Sequence, residues 1–533
     1  MSDWPPLAWL AACSARMATV RVLHGSGVEV RDEFACEAVW PASFEEGDFD
    51  RAAVVAGSGI RVRGEEVVFV SATSTVDRLH SVVRQDGPVV SNSLPCLMRA
   101  LGLEARVDYW RYLQDLQSIT RGVVRYRRTI PTTGDHVRLT YFHNLVWAGG
   151  ELAEREKPLE PTGFADFSDY VGFLRATLAG IARNMVSSGR RRPYEFLGTL
   201  SSGYDAPAVT TLGAEVGCAQ AVCFDESRTR EPDSGVPIAH ALGIEPLVIK
   251  RATWRRRASR LDQFPEATFL AAMPSGHLAS FGAARDHLHG RVLLTGFFGD
   301  VMWDLKARDP TPHVERQTFS GLTLTEFRLG AGFINCPVPF WAARQKADVV
   351  AISRSEEMRD WIVGEHYQRP IPRRIVEAVG VPRDAFGYRK QPGVGGSLLS
   401  EHEFLGPESV GDYRAWVRSR ASGLSNERLV VLAAADRLAR GVGWLAGATL
   451  RAHRRRATSA GRVWRRIEPR MNRAQPREYG IAGRLFTFQW ALGRVGERYV
   501  LPPDEAPASP AAVTGLNFTQ AAPRGFGRLR TRL

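Results

Sequence analysis

Five consecutive residues, Ser201-Ser202-Gly203-Tyr204-Asp205, have the types and spacing to cradle a phosphate. Gly203 permits a tight turn, so amide groups of the turn and of the following helix point outward. The helix dipole adds roughly half a positive charge at that end. Pro207 suits a first helical turn, because its missing N–H costs nothing there. Asp205 has two readings on this stretch alone. It caps the helix, or it holds a magnesium ion that bridges it to the phosphate.

A second corner separates these readings. The apolar run Arg291–Thr295 leads into Gly296-Phe297-Phe298-Gly299-Asp300. Two aspartates at two strand ends of one sheet can share a magnesium ion. Further on, Tyr388-Arg389-Lys390-Gln391 precedes the glycine-rich Pro392-Gly393-Val394-Gly395-Gly396. A cation there could neutralise a departing pyrophosphate.

These corners need elements to hold them. Phe196–Leu200, Gln220–Phe224, Pro246–Lys250 and Arg291–Thr295 read as buried strands. Helical stretches such as Phe167–Val186 and Pro207–Val216 alternate with them. That rhythm predicts an α/β fold, a doubly wound parallel sheet with helices on both faces. Ligands in such sheets lie beyond the carboxyl ends of the strands. Up to about residue 150 the pattern is β-rich, with runs such as Glu66–Val70 and Val137–Tyr141. Glu151–Pro161 is charged, holds two prolines and reads as a linker. After about Phe319 the pattern is mostly helical. From about Pro502 a tail rich in Pro, Ala and Gly is expected to be loosely ordered.

The 533 residues are 44% hydrophobic and 24% charged, which fits a globular protein rather than a disordered one. The net charge of +13 is uneven: Arg437 to Arg477 holds twelve Arg and one acid, Glu468. Such a stretch reads first as a solvated basic helical face, and otherwise as a surface for nucleic acid, anionic membrane or an acidic peptide. The six cysteines form no CxxC pair and sit beside no histidine at metal-ligand spacing, so a reduced, cytoplasmic protein is expected. No apolar run approaches the length of a membrane span. The opening MSDWPPLAWLAACSAR has a short apolar patch after an acidic flank, so no secretory signal is expected.

Taken in order, the motifs over about residues 165–400 resemble the asparagine-synthetase-like family, which includes the β-lactam synthetases. Ser201-Ser202-Gly203-Tyr204-Asp205-Ala206 is similar to its Ser-Gly-Gly-x-Asp-Ser pyrophosphate loop. Thr295-Gly296-Phe297-Phe298-Gly299-Asp300 is similar to its Ser-Gly-x-Gly-x-Asp loop. Ile334-Asn335-Cys336-Pro337-Val338-Pro339-Phe340 resembles its Val-Glu-x-Arg-x-Pro-Phe segment, and Arg389-Lys390-Gln391 its late basic motif. Upstream, Ser74–Leu79, Ser91–Ser93 and Thr129–His136 loosely resemble the family's Ntn-type glutaminase half.

The resemblance implies three regions. Residues 1–160 would be a degenerate class II glutamine amidotransferase-like (Ntn) domain. Residues 161–435 would be the ATP-pyrophosphatase domain, and 436–533 a basic helical extension with a loose tail. It implies ATP and Mg2+, with Asp205 and Asp300 as metal ligands and Lys390 as the catalytic cation. Ser201, Ser202, Gly203, Tyr204, Asp205, Ala206, Phe224, Thr295 and Gly296 would bind the nucleotide. The implied reaction adenylates a carboxylate, releases pyrophosphate and passes the acyl group to an amine. Implied partners are small-molecule or peptide carboxylates and amines, with a homodimer as an option. The alternatives are a catalytically reduced binding protein of the same fold and a tRNA-modifying pyrophosphate-loop enzyme.

The departures matter. A glutaminase of this type needs an N-terminal cysteine, and Met1 is followed by Ser2. Ser202 stands where the family has Gly, and Ala206 where it has Ser. Phe297 takes the position of the Glu or Tyr that relatives use, and Asn335 that of the Glu partnering the Tyr. A phenyl ring accepts no proton. The amine then arrives neutral, or another base serves, such as a substrate phosphate or His277, itself read first as an ordinary loop histidine. Phe297 and Phe298 are candidates to wall an apolar acceptor pocket.

Overall fold

The structure is a computed structural model. It describes residues 4–14, 19–109, 111–226, 233–255, 263–307, 310–316, 318–363, 367–387, 404–421, 486–501 and 513–517. The N-terminal half is built from β1 (Trp9–Cys13), β2 (Thr19–His24), β3 (Glu29–Val30), β4 (Phe34–Val39), β5 (Ala56–Arg63), β6 (Glu66–Val70), β7 (Leu79–Arg84), β8 (Gly87–Ser91), β9 (Thr129–Ile130), β10 (Val137–Thr140), β11 (Asn144–Ala148) and β12 (Glu151–Arg155). They form two antiparallel sheets packed face to face. The second runs β12-β11-β6-β5-β4-β3.

Alternation along each strand explains the layering. Trp9, Ala11 and Cys13 of β1 enter the core between the sheets, where Val67 and Phe69 of β6 meet them. Leu10 faces the opposite core, and Val68 and Val70 pack on the far side of their own sheet. Each fully buried side chain of this size contributes about 1.5–3 kcal/mol.

The second half holds β13 (Glu195–Leu200), β14 (Gln220–Phe224), β15 (Glu245–Ile249), β16 (Arg291–Thr295) and β17 (Ile334–Pro337). All pair in parallel, in the order β15-β14-β13-β16-β17. From β13 the chain builds outward through β14 and β15, then returns to the other side for β16 and β17. The order therefore reverses between β13 and β16, which opens a crevice beyond their carboxyl ends. The expected α/β character holds, with antiparallel sheets first and a parallel sheet with helices after.

Three local differences have physical causes. Glu151–Arg155 is the edge strand β12 rather than linker, and its alternating exposed Glu151, Ala153 and Arg155 explain the charged composition. Ile334–Pro337 is a strand inside the region read as helical. It is too short for periodicity to show. Val513–Asn517, in the tail, forms β18 and pairs antiparallel with β2, giving the first sheet the order β18-β2-β1-β8-β7-β10-β9.

The halves are joined through buried charge. Arg328 bonds Glu37 at 2.7 Å and Asp77 at 3.0 Å, and all three are buried. No helix of the described residues is long and apolar enough to cross a membrane.

Candidate functional site

The two aspartate corners meet. Asp205 opens the helix Asp205–Ala214 directly after β13, and Asp300 lies in the short helix Gly299–Met302 after β16. Gly296 and Gly299 let the second corner press against the first. A Cβ on Gly296 would lie 2.6 Å from Asp205 Cβ, and one on Gly299 2.6 Å from Asp205 Cγ. Only glycine fits so close an approach.

A cavity of about 470 Å3 opens at this point, where the strand order reverses. Ser201, Gly203, Tyr204, Asp205, Ala206, Phe224, Thr295, Gly296, Phe297 and Asp300, all singled out from sequence, line it. Ser202 does not. Its N–H and Oγ donate to Asp233 Oδ1, at 2.9 and 2.6 Å. The Tyr204 ring is buried and anchors the turn from below. It packs on Tyr367 at 4.8 Å and accepts a hydrogen bond from Arg373 Nη2 at 2.7 Å.

One wall of the cavity is charged and the other apolar. Phe224 meets Phe281 at 5.6 Å, Phe281 meets Phe297 at 6.5 Å, and Leu200, Val222 and Leu278 complete the apolar wall. Asn335 sits behind that wall, accepting a hydrogen bond from Thr295 Oγ1 at 3.1 Å. His277 is not among the lining residues. Its Nδ1 pairs with Ser275 Oγ at 3.0 Å and its ring stands edge-on to Phe319. His277 therefore gains no support as a base.

Two arginines escaped the sequence reading. Arg369 Nη1 donates to Asp205 Oδ2, and the Arg369 side chain is only 4% exposed. Burial works against its charge, but Asp205, Tyr367 and Asp300 outweigh it and hold its pKa above the ordinary arginine value. Arg316 is buried, bonds Thr75 Oγ1 of the N-terminal half at 3.3 Å, and stands 5.3 Å from the Phe340 ring. Burial pulls its pKa down to about 10, with Asp300 opposing. Thr318 Oγ1 reaches Asp300 Oδ2 at 3.5 Å. No local motif marks these residues. Arg369 lies 164 positions from Asp205, so only the fold brings them together.

Lys390 lies outside the described residues, as does the basic stretch Arg437–Arg477. The described stretch before it ends at Gly387, whose N–H donates to Ser202 O at 2.8 Å, three residues before Lys390. All six cysteines are buried, and burial pushes the Cys13 thiol up to about 12. None is the activated, accessible thiol a glutaminase needs.

Among the described residues no group of three His, Cys, Asp or Glu side chains could hold a metal. The fit to magnesium therefore rests on the donor chemistry of the two carboxylates facing one cavity. Mg2+ takes hard oxygen donors and is commonly held by one or two carboxylates plus substrate phosphates, so the pair fits. No family model and no curated protein matches the chain.

Proposed function

We propose that the protein is an ATP-dependent amide-forming ligase that works through an acyl-adenylate. One observation carries this reading: Asp205 and Asp300, from separate strand ends, line one cavity at the reversal of strand order. The motif order that resembles the asparagine-synthetase-like family supports it.

The resemblance implies the chemistry, and the residues fit it. The substrate carboxylate attacks the α-phosphorus of ATP, the bond to the β-phosphate oxygen breaks, and pyrophosphate leaves. An amine then attacks the acyl carbon, loses a proton and displaces AMP. Amides at the N-terminus of the helix that Asp205 opens would hold the pyrophosphate, joined by those of Ser202 and Gly203 once these leave Asp233 and Ser201 Oγ. Asp205 and Asp300 would hold Mg2+, which supplies charge neutralisation at the phosphates. Phe297 offers no proton acceptor, so the amine enters neutral or gives its proton to a substrate oxygen. The apolar wall of Phe224, Phe281 and Phe297 gives the nucleotide base or an apolar substrate group a dry surface.

The test is the product pair. Incubation with radiolabelled ATP, magnesium and a mixture of amino acids and peptides should yield AMP and pyrophosphate. Asp300→Asn should lower that rate by about 100-fold or more, as loss of a charge-holding group does. Products of ADP and phosphate would exclude the adenylate route.

A second reading, a nucleotide-binding protein without turnover, draws on the ion pair that already occupies Asp205. It predicts ATP affinity unchanged by Asp205→Ala or Asp300→Ala with magnesium present.

A further inference from the structure

Arg369 and a divalent cation cannot hold Asp205 in the same way at the same time. The guanidinium sits directly on the Asp205 carboxylate, just before the helix Pro370–Glu377. It lies 5.0 Å from the Tyr367 ring, which packs on Tyr204 of the phosphate corner. Arg369 also feels the charge of Asp300, and it lines the cavity. Its contact with Asp205 uses Nη1, and its remaining donors make no hydrogen bond among the described residues. A guanidinium carries five N–H donors in a planar fork that matches phosphate oxygens.

We infer that Arg369 is a partner-switching phosphate ligand. Without nucleotide it neutralises Asp205 and repels a divalent cation from that carboxylate. When nucleotide and metal enter together, the metal takes Asp205 and the guanidinium turns its fork to the phosphates. The triphosphate supplies the negative charge that Arg369 gives up, so neither cation is left unpaired in a partly buried site. Bare metal offers no such replacement. Metal and nucleotide therefore bind as a unit, and Arg369 enforces the order. This inference rests on the ligase reading.

Mn2+ is the probe, read by the paramagnetic resonance signal of the free ion. With the wild-type chain, Mn2+ alone should stay free and become bound once ATP is added. In Arg369→Met, Mn2+ alone should bind at least about tenfold more tightly than in wild type, while ATP affinity with Mn2+ falls about tenfold or more, the scale of one charged contact. Circular dichroism checks that the variant is folded. Arg369→Lys keeps the charge but loses the fork. It should still exclude Mn2+ alone yet bind ATP more weakly, and it serves if Arg369→Met does not fold. A folded Arg369→Met that takes up Mn2+ no better than wild type overturns the inference, as does wild-type ATP affinity in either variant. Wild-type protein that never binds Mn2+ with ATP overturns the ligase reading itself.

Discussion

Phe298 shows how one residue can carry opposing forces. Its φ is +78°, a left-handed conformation that costs an aromatic residue about 1–3 kcal/mol. It is held there because its ring is buried and stacks on Phe340 at 4.3 Å. Removing a buried phenyl ring costs about 3–5 kcal/mol. Phe298→Gly should therefore destabilise by about 2 kcal/mol net, since glycine relieves the strain as it loses the ring. Phe298→Ala should cost more than Phe298→Gly, reversing the usual order, and urea midpoints of the two variants check this. Gly296→Ala acts differently. Its Cβ would collide with the backbone of Asp205 and Ala206, so the variant should lose about 1–3 kcal/mol of stability, and nucleotide affinity of the protein that still folds should fall about tenfold or more. An unchanged affinity would mean that the two corners need not touch for binding.

At the scale of elements, the sequence was legible where periodicity and length agreed. β13, β14 and β16 and the helix Phe167–Met185 lie within a residue or two of their expected bounds. The cavity was legible too, because a turn rich in Gly and Ser before an aspartate has few structural uses. Arg369, Arg316 and Asp233 were not. Each acts through a long-range contact, and an arginine or aspartate in a loop carries no local signature. β17 stayed hidden because four residues containing a proline give no period to read.

Glu326 shows how one element depends on the fold around it. It sits in the helix Thr325–Ala331 and accepts a hydrogen bond from Ser93 Oγ, which also receives Tyr499 Oη. Burial raises its pKa from 4.5 to about 7, against Ser93 and Arg78. A raised acid pKa favours the folded state at low pH. That contribution is complete below about 4.5 and is lost as pH climbs through about 7. Wild-type protein should therefore lose up to about 3 kcal/mol between these values, relative to Glu326→Gln. Chemical denaturation across that range measures it, and parallel curves for the two proteins would refute the assignment.

At the scale of the whole molecule, the halves are parts of one body. Arg328→Met would leave Glu37 and Asp77 buried without their cation, which costs about 3–5 kcal/mol. Such a variant should unfold in both halves at a lower denaturant concentration, with near-UV and far-UV signals moving together. Residues 310–316 and 318–321 add a link: Val123 N–H donates to His313 O and Arg316 N–H to Thr120 O, both at 2.8 Å, while Ser320 faces the cavity. The N-terminal half thus braces a wall of the candidate site. The chain ends share this arrangement. Trp4 Nε1 donates to Val500 O at 2.8 Å, and β18 closes the edge of β2. During synthesis the ribosome releases β2 nearly five hundred residues before its neighbour exists. Until β18 emerges, that nascent edge is open to pairing with any passing strand. The edge strand β2 is thus a point where folding during synthesis is exposed to mispairing, a cost that the finished fold no longer shows.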